Sequence, residues 1–231
     1  LSSDIVKKEN FKWNINFNLS TIKNEFTKLP GDRINEDGTK YFDEIISGTK
    51  KLKTGQSLYD YWLRDWTGVD PADGLSLYRF DETKTAGASE RTIDGVLMTT
   101  NPNNALFHYA GSAIPDFMGG ITNSFKLNDF TFTVLVTYQF GGSTYDSTYA
   151  NLMHGGASTG QAWHTDIFNR WQQPGDITSV PRLDTGQSTN ISAASDRWLI
   201  SSTFFNLKSM NLTYNLPKTL IDNLGLVNAK I

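Results

Sequence analysis

Gly156-Ala157-Ser158-Thr159-Gly160 spells G-x-S-x-G, the spacing that sets a nucleophilic serine on a strained strand-to-helix turn. That chemistry needs a buried strand before the serine and an acid then a histidine after it. The only later histidine, His164, lies close behind Ser158, and no hydrolase-like sheet pattern precedes the motif. No catalytic residue is therefore expected, and the chain does not read as an enzyme. His108, His154 and His164 lack the H-x₃₋₅-H spacing of a zinc site. With no Cys in the chain there is also no disulfide, thiolate metal centre or cysteine nucleophile. No metal or cofactor is expected, and the histidines read as solvated loop residues. In Gly68-Val69-Asp70-Pro71-Ala72-Asp73-Gly74 the carboxylates miss the calcium-loop template, so Asp70 and Asp73 read as turn residues that accept backbone N–H groups. Asp196-Arg197, and Asp176 with Arg182, read as ion pairs that staple loops, with charges that touch a ligand as the other use.

The elements that would position such groups are strands. From Phe11 to Ser20 apolar and polar residues alternate, with Phe11, Trp13, Ile15, Phe17 and Leu19 on one face and Lys12, Asn14, Asn16, Asn18 and Ser20 on the other. Phe130 to Phe140 repeats the pattern. Both runs have the roughly 9–11 residues that a tilted strand needs to cross a bilayer, although a long strand of a soluble sandwich would alternate in the same way. Phe117–Leu127 should form a hairpin with the Phe130 strand across Leu127-Asn128-Asp129. Shorter strands are expected near Leu58–Asp65 and Leu75–Phe80, and a short helix from Gln161 to Gln172. In the last strand region, Ser202–Leu216, Phe205 and Leu207 fall on one phase while Met210, Leu212 and Tyr214 fall on the other, which predicts a bulge near Lys208-Ser209 ahead of the stop at Pro217. Gly119 and Gly120 leave no side chain, which suits a bend or the close approach of a plug inside a barrel.

Composition excludes some functions. A net charge of −3 gives no electrostatic reason to expect nucleic acid. Six Trp, nine Tyr and fourteen Phe suit either an interfacial girdle or a sugar-stacking surface. A mean hydropathy of −0.39 would ordinarily indicate a water-soluble chain, but barrel strands escape that test because half of each faces a polar lumen. The first residues carry no leader pattern and the last ones no solvated tail, so the chain reads as a fragment.

Several motifs occur in a fixed order: Trp66-Thr67-Gly68-Val69-Asp70-Pro71 with Asp73-Gly74; Ile114-Pro115-Asp116-Phe117 with Gly119-Gly120; Trp171 with Pro174-Gly175-Asp176; Ser195-Asp196-Arg197; and the segment from Phe204 to Pro217. In this order the chain resembles the C-terminal part of the SusC/RagA family of TonB-linked outer-membrane proteins of Bacteroidota. The resemblance implies an all-β fold, one part of a large antiparallel transmembrane β-barrel of the 22-stranded, plugged type with long extracellular loops. It assigns residues 1–231 to that barrel, without the plug, the TonB box or the last strands. It implies a nutrient importer in the bacterial outer membrane, energised through TonB, that takes up oligosaccharides or peptides delivered with a SusD-like surface lipoprotein. Its partners would then be that lipoprotein, TonB, the ligand and membrane lipid. In such a transporter loop aromatics would meet the substrate, because sugar faces stack on rings. Tyr145, Tyr149, Trp163 and Trp171 are the candidates here, with packing of the loop against itself as the competing use. A passive porin and a soluble carbohydrate-binding module are the alternative readings, and a Phe132→Arg change at mid-membrane would separate lipid-facing strands from soluble ones.

Overall fold

A computed structural model describes residues 1–222, 225–227 and 229–231, which fall into two compact units. The first comprises residues 1–23, 114–142 and 202–231, and the second comprises residues 24–113 and 143–201.

The first unit is an antiparallel sheet of five strands: β1 (Ser2–Lys7), β2 (Phe11–Ser20), β3 (Phe117–Leu127), β4 (Phe130–Phe140) and β5 (Phe204–Tyr214), lying side by side in that order. Side chains alternate along each strand, so the register decides which residues share a face. Trp13, Phe125, Phe132 and Leu212 form one rung across β2 to β5, and Phe17, Ile121, Val136 and Leu207 form another on the same face. Asn14, Ser124, Thr133 and Asn211 form a rung on the opposite face. One face is thus apolar over four strands and the other carries amides and hydroxyls. Trp13 stacks on Phe125 at 5.7 Å between centroids, and Phe125 on Phe132 at 6.4 Å, pairs that each contribute about 0.2–1 kcal/mol. Asn123, the polar exception on the apolar face, is satisfied by the Trp13 indole N–H at 3.1 Å.

The predicted bulge is present. Leu135 faces Ser209 while Val136 faces Leu207, so Lys208 is the extra residue that returns Phe205 and Leu207 to the face of Met210 and Leu212. The apolar face is open: Phe205 is 69% exposed and Leu212 66%. β3 and β4 join through Asn128-Asp129, where Asn128 takes a φ of 51° that asparagine tolerates well. The long connections, residues 21–116 and 141–203, leave from the other end of the strands. Ala229 and Ile231 fold back beside β5, with paired backbone hydrogen bonds between Ile231 and Tyr214.

At Gly119 the structure does not contain the expected bend; the space of the missing side chain is taken by Tyr138 of the neighbouring strand. The ladder passes Gly119 and Gly120 without a shift in register. Tyr138 lies over Gly119, only 5% exposed, and donates its hydroxyl to the Asn18 carbonyl at 2.8 Å. A Cβ on Gly119 would run into that carbonyl and the Tyr138 ring, whereas one on Gly120 would meet its nearest atom at 3.4 Å. Gly119→Val is therefore expected to cost about 3 kcal/mol through overpacking and the lost hydrogen bond, and Gly120→Ala less than about 1 kcal/mol. Urea midpoints of the assembled protein in detergent measure both. Equal costs would show that Tyr138 does not depend on the missing side chain.

The second unit is built from short pieces. Trp66–Val69, Ser76–Arg79, Glu90–Ile93 and Val96–Thr99 form a four-stranded sheet, and Asp60–Arg64 pairs with Phe107–Ser112. The strands expected near Leu58–Asp65 and Leu75–Phe80 are both there. The expected Gln161–Gln172 helix is reduced to a five-residue 3₁₀ turn, Thr165–Asn169, opened by His164, whose Nδ1 accepts from the Asp166 N–H. Five residues bury too little to extend it, and Pro174-Gly175 follow soon after.

The unit's irregular backbone is held by buried polar side chains. Asn190, 2% exposed, accepts from Ser76 N–H at 3.0 Å and donates to the carbonyls of Ser76 at 2.9 Å and Thr100 at 2.6 Å. Its own carbonyl takes the Tyr78 hydroxyl at 2.6 Å. Burial pushes the Tyr78 phenol up to about 12. Arg64 donates to Pro102 and Ala194 carbonyls, and burial holds its guanidinium below the usual value.

Candidate functional site

Helix α1 (Ser147–Leu152) is capped by Asp146, whose carboxylate accepts from the Tyr149 N–H at 2.8 Å. It packs on a core of Met153, Val180 and Trp198, with Tyr145, Tyr149 and Ile167 around it. Tyr149 stands edge-on to His164 at 4.8 Å and to Trp198 at 5.8 Å, and donates its hydroxyl to Asp166 at 2.8 Å. Burial, followed by that hydrogen bond, pushes the phenol up to about 12. Burial also raises the Tyr145 phenol.

Trp163 lies against His154 with ring centroids 3.8 Å apart. His154 is not a solvated loop histidine: it is 5% exposed, and its Nδ1 accepts the backbone N–H groups of Gly156 and Ser158 at 3.3 and 3.4 Å. That use of Nδ1 explains the G-x-S-x-G segment, which follows a helix and a turn and is folded around an imidazole. Ser158 therefore has no strand-to-helix elbow to sit on. Tyr145 and His154 line a common groove of about 700 Å³ with Asn151, Ser158, Gln161 and Ser192.

Of the four sequence candidates, Tyr145 and Tyr149 meet in one cluster, and Trp163 backs the histidine that lines the groove beside Tyr145. Trp171 is elsewhere. Its ring covers Gly74, its indole N–H donates to the Pro71 carbonyl at 3.0 Å, and its backbone N–H donates to Val180. It clamps the turn that begins at Asp70. In that turn Asp70 and Asp73 accept the N–H groups of Ala72 and Leu75 at 2.8 and 3.1 Å, the arrangement expected of turn carboxylates. Both also bind Arg91, Asp70 through Nη1 and Asp73 through Nη2 at 2.6 Å. Nothing in the local spacing announced Arg91.

The expected ion pairs are rearranged. Arg182 binds Asp184 at 2.6 Å, while Asp176 accepts the N–H groups of Gln172 and Gln173. Asp196 accepts from Trp66 N–H at 2.9 Å and meets His108 Nε2 at 3.0 Å. Asp65, His108 and Asp196 bring one ligand-type atom each within 4.8 Å of one another, but Asp65 is committed to Arg79 at 2.7 Å. Arg197 stacks on Trp198 at 4.4 Å, and burial pulls it down to about 10, which leaves it cationic at neutral pH.

Long antiparallel strands with one apolar and one polar face, short turns at one end and long excursions at the other are features that the walls of outer-membrane-type β-barrels share as a class. The comparisons with known proteins agree with that class. The chain is 25% identical to TonB-dependent receptor P39 of Formosa agariphila over 96% of its length and 24% of the receptor's. It is 23% identical to TonB-dependent receptor P3 of the same organism over 100% of its length and 22% of the receptor's. In fold it is similar to the RagAB peptide transporter, with a TM-score of 0.71 at 17% identity, over 95% of this chain and 22% of that one. The RagAB peptide importer in the open-open state gives 0.67 at 18% identity, over the same shares of the two chains. No family model matches the chain. In sequence and fold the chain resembles a piece of a TonB-dependent transporter of the SusC/RagA type, and it spans about a quarter of the length of the curated relatives it matches.

Proposed function

We propose that residues 1–231 contribute barrel wall and surface loops to an outer-membrane nutrient importer of the SusC type. Five antiparallel strands with an open apolar face are what lipid requires of a wall. A soluble sandwich would cover that face with a second sheet, and a spanning sheet must close so that no edge is left unpaired. The outer edge of β1 has no strand partner among the described residues, and that of β5 has one only at its Tyr214 end. Further strands of a 22-stranded, plugged barrel would complete both. The aromatic face then meets lipid, and Lys12 with the Asn14, Asn16 and Asn18 series faces the lumen. Uptake of an oligosaccharide or peptide would be energised through TonB, with a SusD-like lipoprotein over the mouth. Tyr145, Tyr149, Trp163 and Trp171 remain the aromatic candidates for substrate contact; of these, Tyr145 has the best position because it lines a groove.

The observation that carries this reading is the open apolar face on strands of bilayer length. The test is the mass and composition of the native receptor extracted in detergent from outer membranes. The expected result is a complex several times the 25.8 kDa of this chain, with plug sequence and a lipoprotein among its peptides and uptake that stops when TonB is deleted. A water-soluble monomer of this chain alone would overturn it.

A further inference from the structure

We propose that Lys7, Lys12 and Lys126, on the polar face of the five-stranded sheet, dock an acidic segment of the receptor's own polypeptide from outside residues 1–231. The proposal rests on the importer reading, in which this face lines the lumen, and gives the chemistry of what meets it there.

The register sets the three ammonium groups side by side. Lys7 lies opposite Lys12, and Lys12 lies opposite Lys126. Thr131 and Thr213 complete the rung, so no carboxylate shares it. Like charges directly opposite one another destabilise a sheet, and all three lysines are exposed. The next rung brings in Asp4, 3.9 Å from Lys7 and already accepting from the Asn14 amide at 2.9 Å. The ammonium groups of Lys12 and Lys126 have neither an ion pair nor a hydrogen bond among the described residues. At the paired positions of the polar face, the three lysines and Asp4 are the only charged residues. Positive charge is thus gathered beside the Asn128-Asp129 turn, in a chain whose net charge is −3.

The occupant must therefore be an anion, and strand spacing sets its reach. Neighbouring strands lie about 4.8 Å apart, so the lysines extend over about 10 Å. One small anion does not bridge that span. A polypeptide segment with two or three Asp or Glu side chains does, through charge-assisted hydrogen bonds. The long connections of this chain leave from the other end of the strands. Because the chain spans about a quarter of the curated relatives' length, most of such a receptor lies outside it and can supply the segment. In the importer reading lipid headgroups meet the aromatic face, not this one.

The experiment is lysine footprinting of the whole receptor in detergent, by brief acetylation and by zero-length carbodiimide cross-linking, each read by peptide mass spectrometry. Lys12 and Lys126 should acetylate about tenfold more slowly than Lys8, the exposed lysine between β1 and β2, as expected for amines held in charge-assisted hydrogen bonds. At least one of the two should cross-link to an Asp or Glu outside residues 1–231. Lys12→Gln should speed acetylation of Lys126, because the two hold one segment. The proposal is overturned if Lys12 and Lys126 react as fast as Lys8, or if their cross-links reach only carboxylates of residues 1–231. It is equally overturned if Lys12→Gln leaves Lys126 as protected as before, or if protection depends on added inorganic phosphate or lipopolysaccharide. TonB-dependent uptake is scored separately. Uptake that persists with freely reactive lysines would defeat the docking and keep the importer; a cross-link to outside chain without uptake would do the reverse.

Discussion

Val136→Arg should cost the assembled receptor about 2–4 kcal/mol, the cost of placing a cation on the lipid face of a barrel at its midplane. Val136 is central in β4, in the rung with Phe17, Ile121 and Leu207. Arginine there has neither water nor a carboxylate on its own face. Thr133→Arg, on the opposite face, should cost less than about 1 kcal/mol because in the proposed barrel that side chain would extend into a hydrated lumen. Phe132, the mid-membrane position expected from strand phase alone, is the third residue of β4 and lies near the Asn128-Asp129 turn. Phe132→Arg should therefore fall toward the low end, about 0–1 kcal/mol, as the side chain reaches the interface. The folded fraction at equilibrium in lipid over a denaturant series measures all three. Equal costs at positions 133 and 136 would mean that the two faces do not see different solvents.

The second large effect is expected at Arg91. Asp70 is 5% exposed and Arg91 neutralises it along with Asp73. Arg91→Leu leaves a buried carboxylate without its counter-charge, a change that costs about 3–5 kcal/mol for fully buried pairs. Arg91 is itself part-exposed, so about 2–3 kcal/mol is expected here. Limited proteolysis of the whole receptor should show new cleavage between Trp66 and Thr99, and Asp70→Asn in the same chain should restore part of the protection. Burial alone would push the Asp73 carboxyl up, but the hydrogen bond from Arg91, the Leu75 N–H and the charges of Arg91 and Arg182 hold it below its usual value. Its contribution is therefore complete above the pKa of an unfolded carboxylate, about 4, and is lost as pH falls through the lower folded value. Acid sensitivity of this turn should largely vanish in the Arg91→Leu protein, because most of what lowers Asp73 has gone.

The strands of the sheet could be read from the chain because their cause is local. A period of two, a short turn and a change of phase fix β2, β3, β4 and the Lys208 bulge to within a residue. The carboxylate turn at Asp70 and Asp73 was legible for the same reason. The rest of the second unit was not, since its determinants act at long range. Asn190 binds Ser76, 114 positions away in sequence, and Arg64 reaches Ala194 across 130. Asp176 and Arg182 are oppositely charged neighbours, yet the two N–H groups just before Asp176 are nearer partners for its carboxylate than any guanidinium. His154 was misread because polar surroundings in the sequence say nothing of Trp163 folding over the ring. Trp171 was singled out for its aromatic surface, and that surface lies against a glycine.

The two long connections also set an order of events. The β3–β4 hairpin closes across two residues and can form on the microsecond scale of isolated hairpins. Its neighbours arrive only after residues 21–116 and 141–203 have looped out, and the entropy of that closure grows by only about 0.6 kcal/mol per doubling of length. Enlarging either excursion would slow the zipping of this wall far less than a one-residue insertion in the Asn128-Asp129 turn. The sheet can thus diversify what it displays at one end while its nucleus tolerates almost nothing at the other.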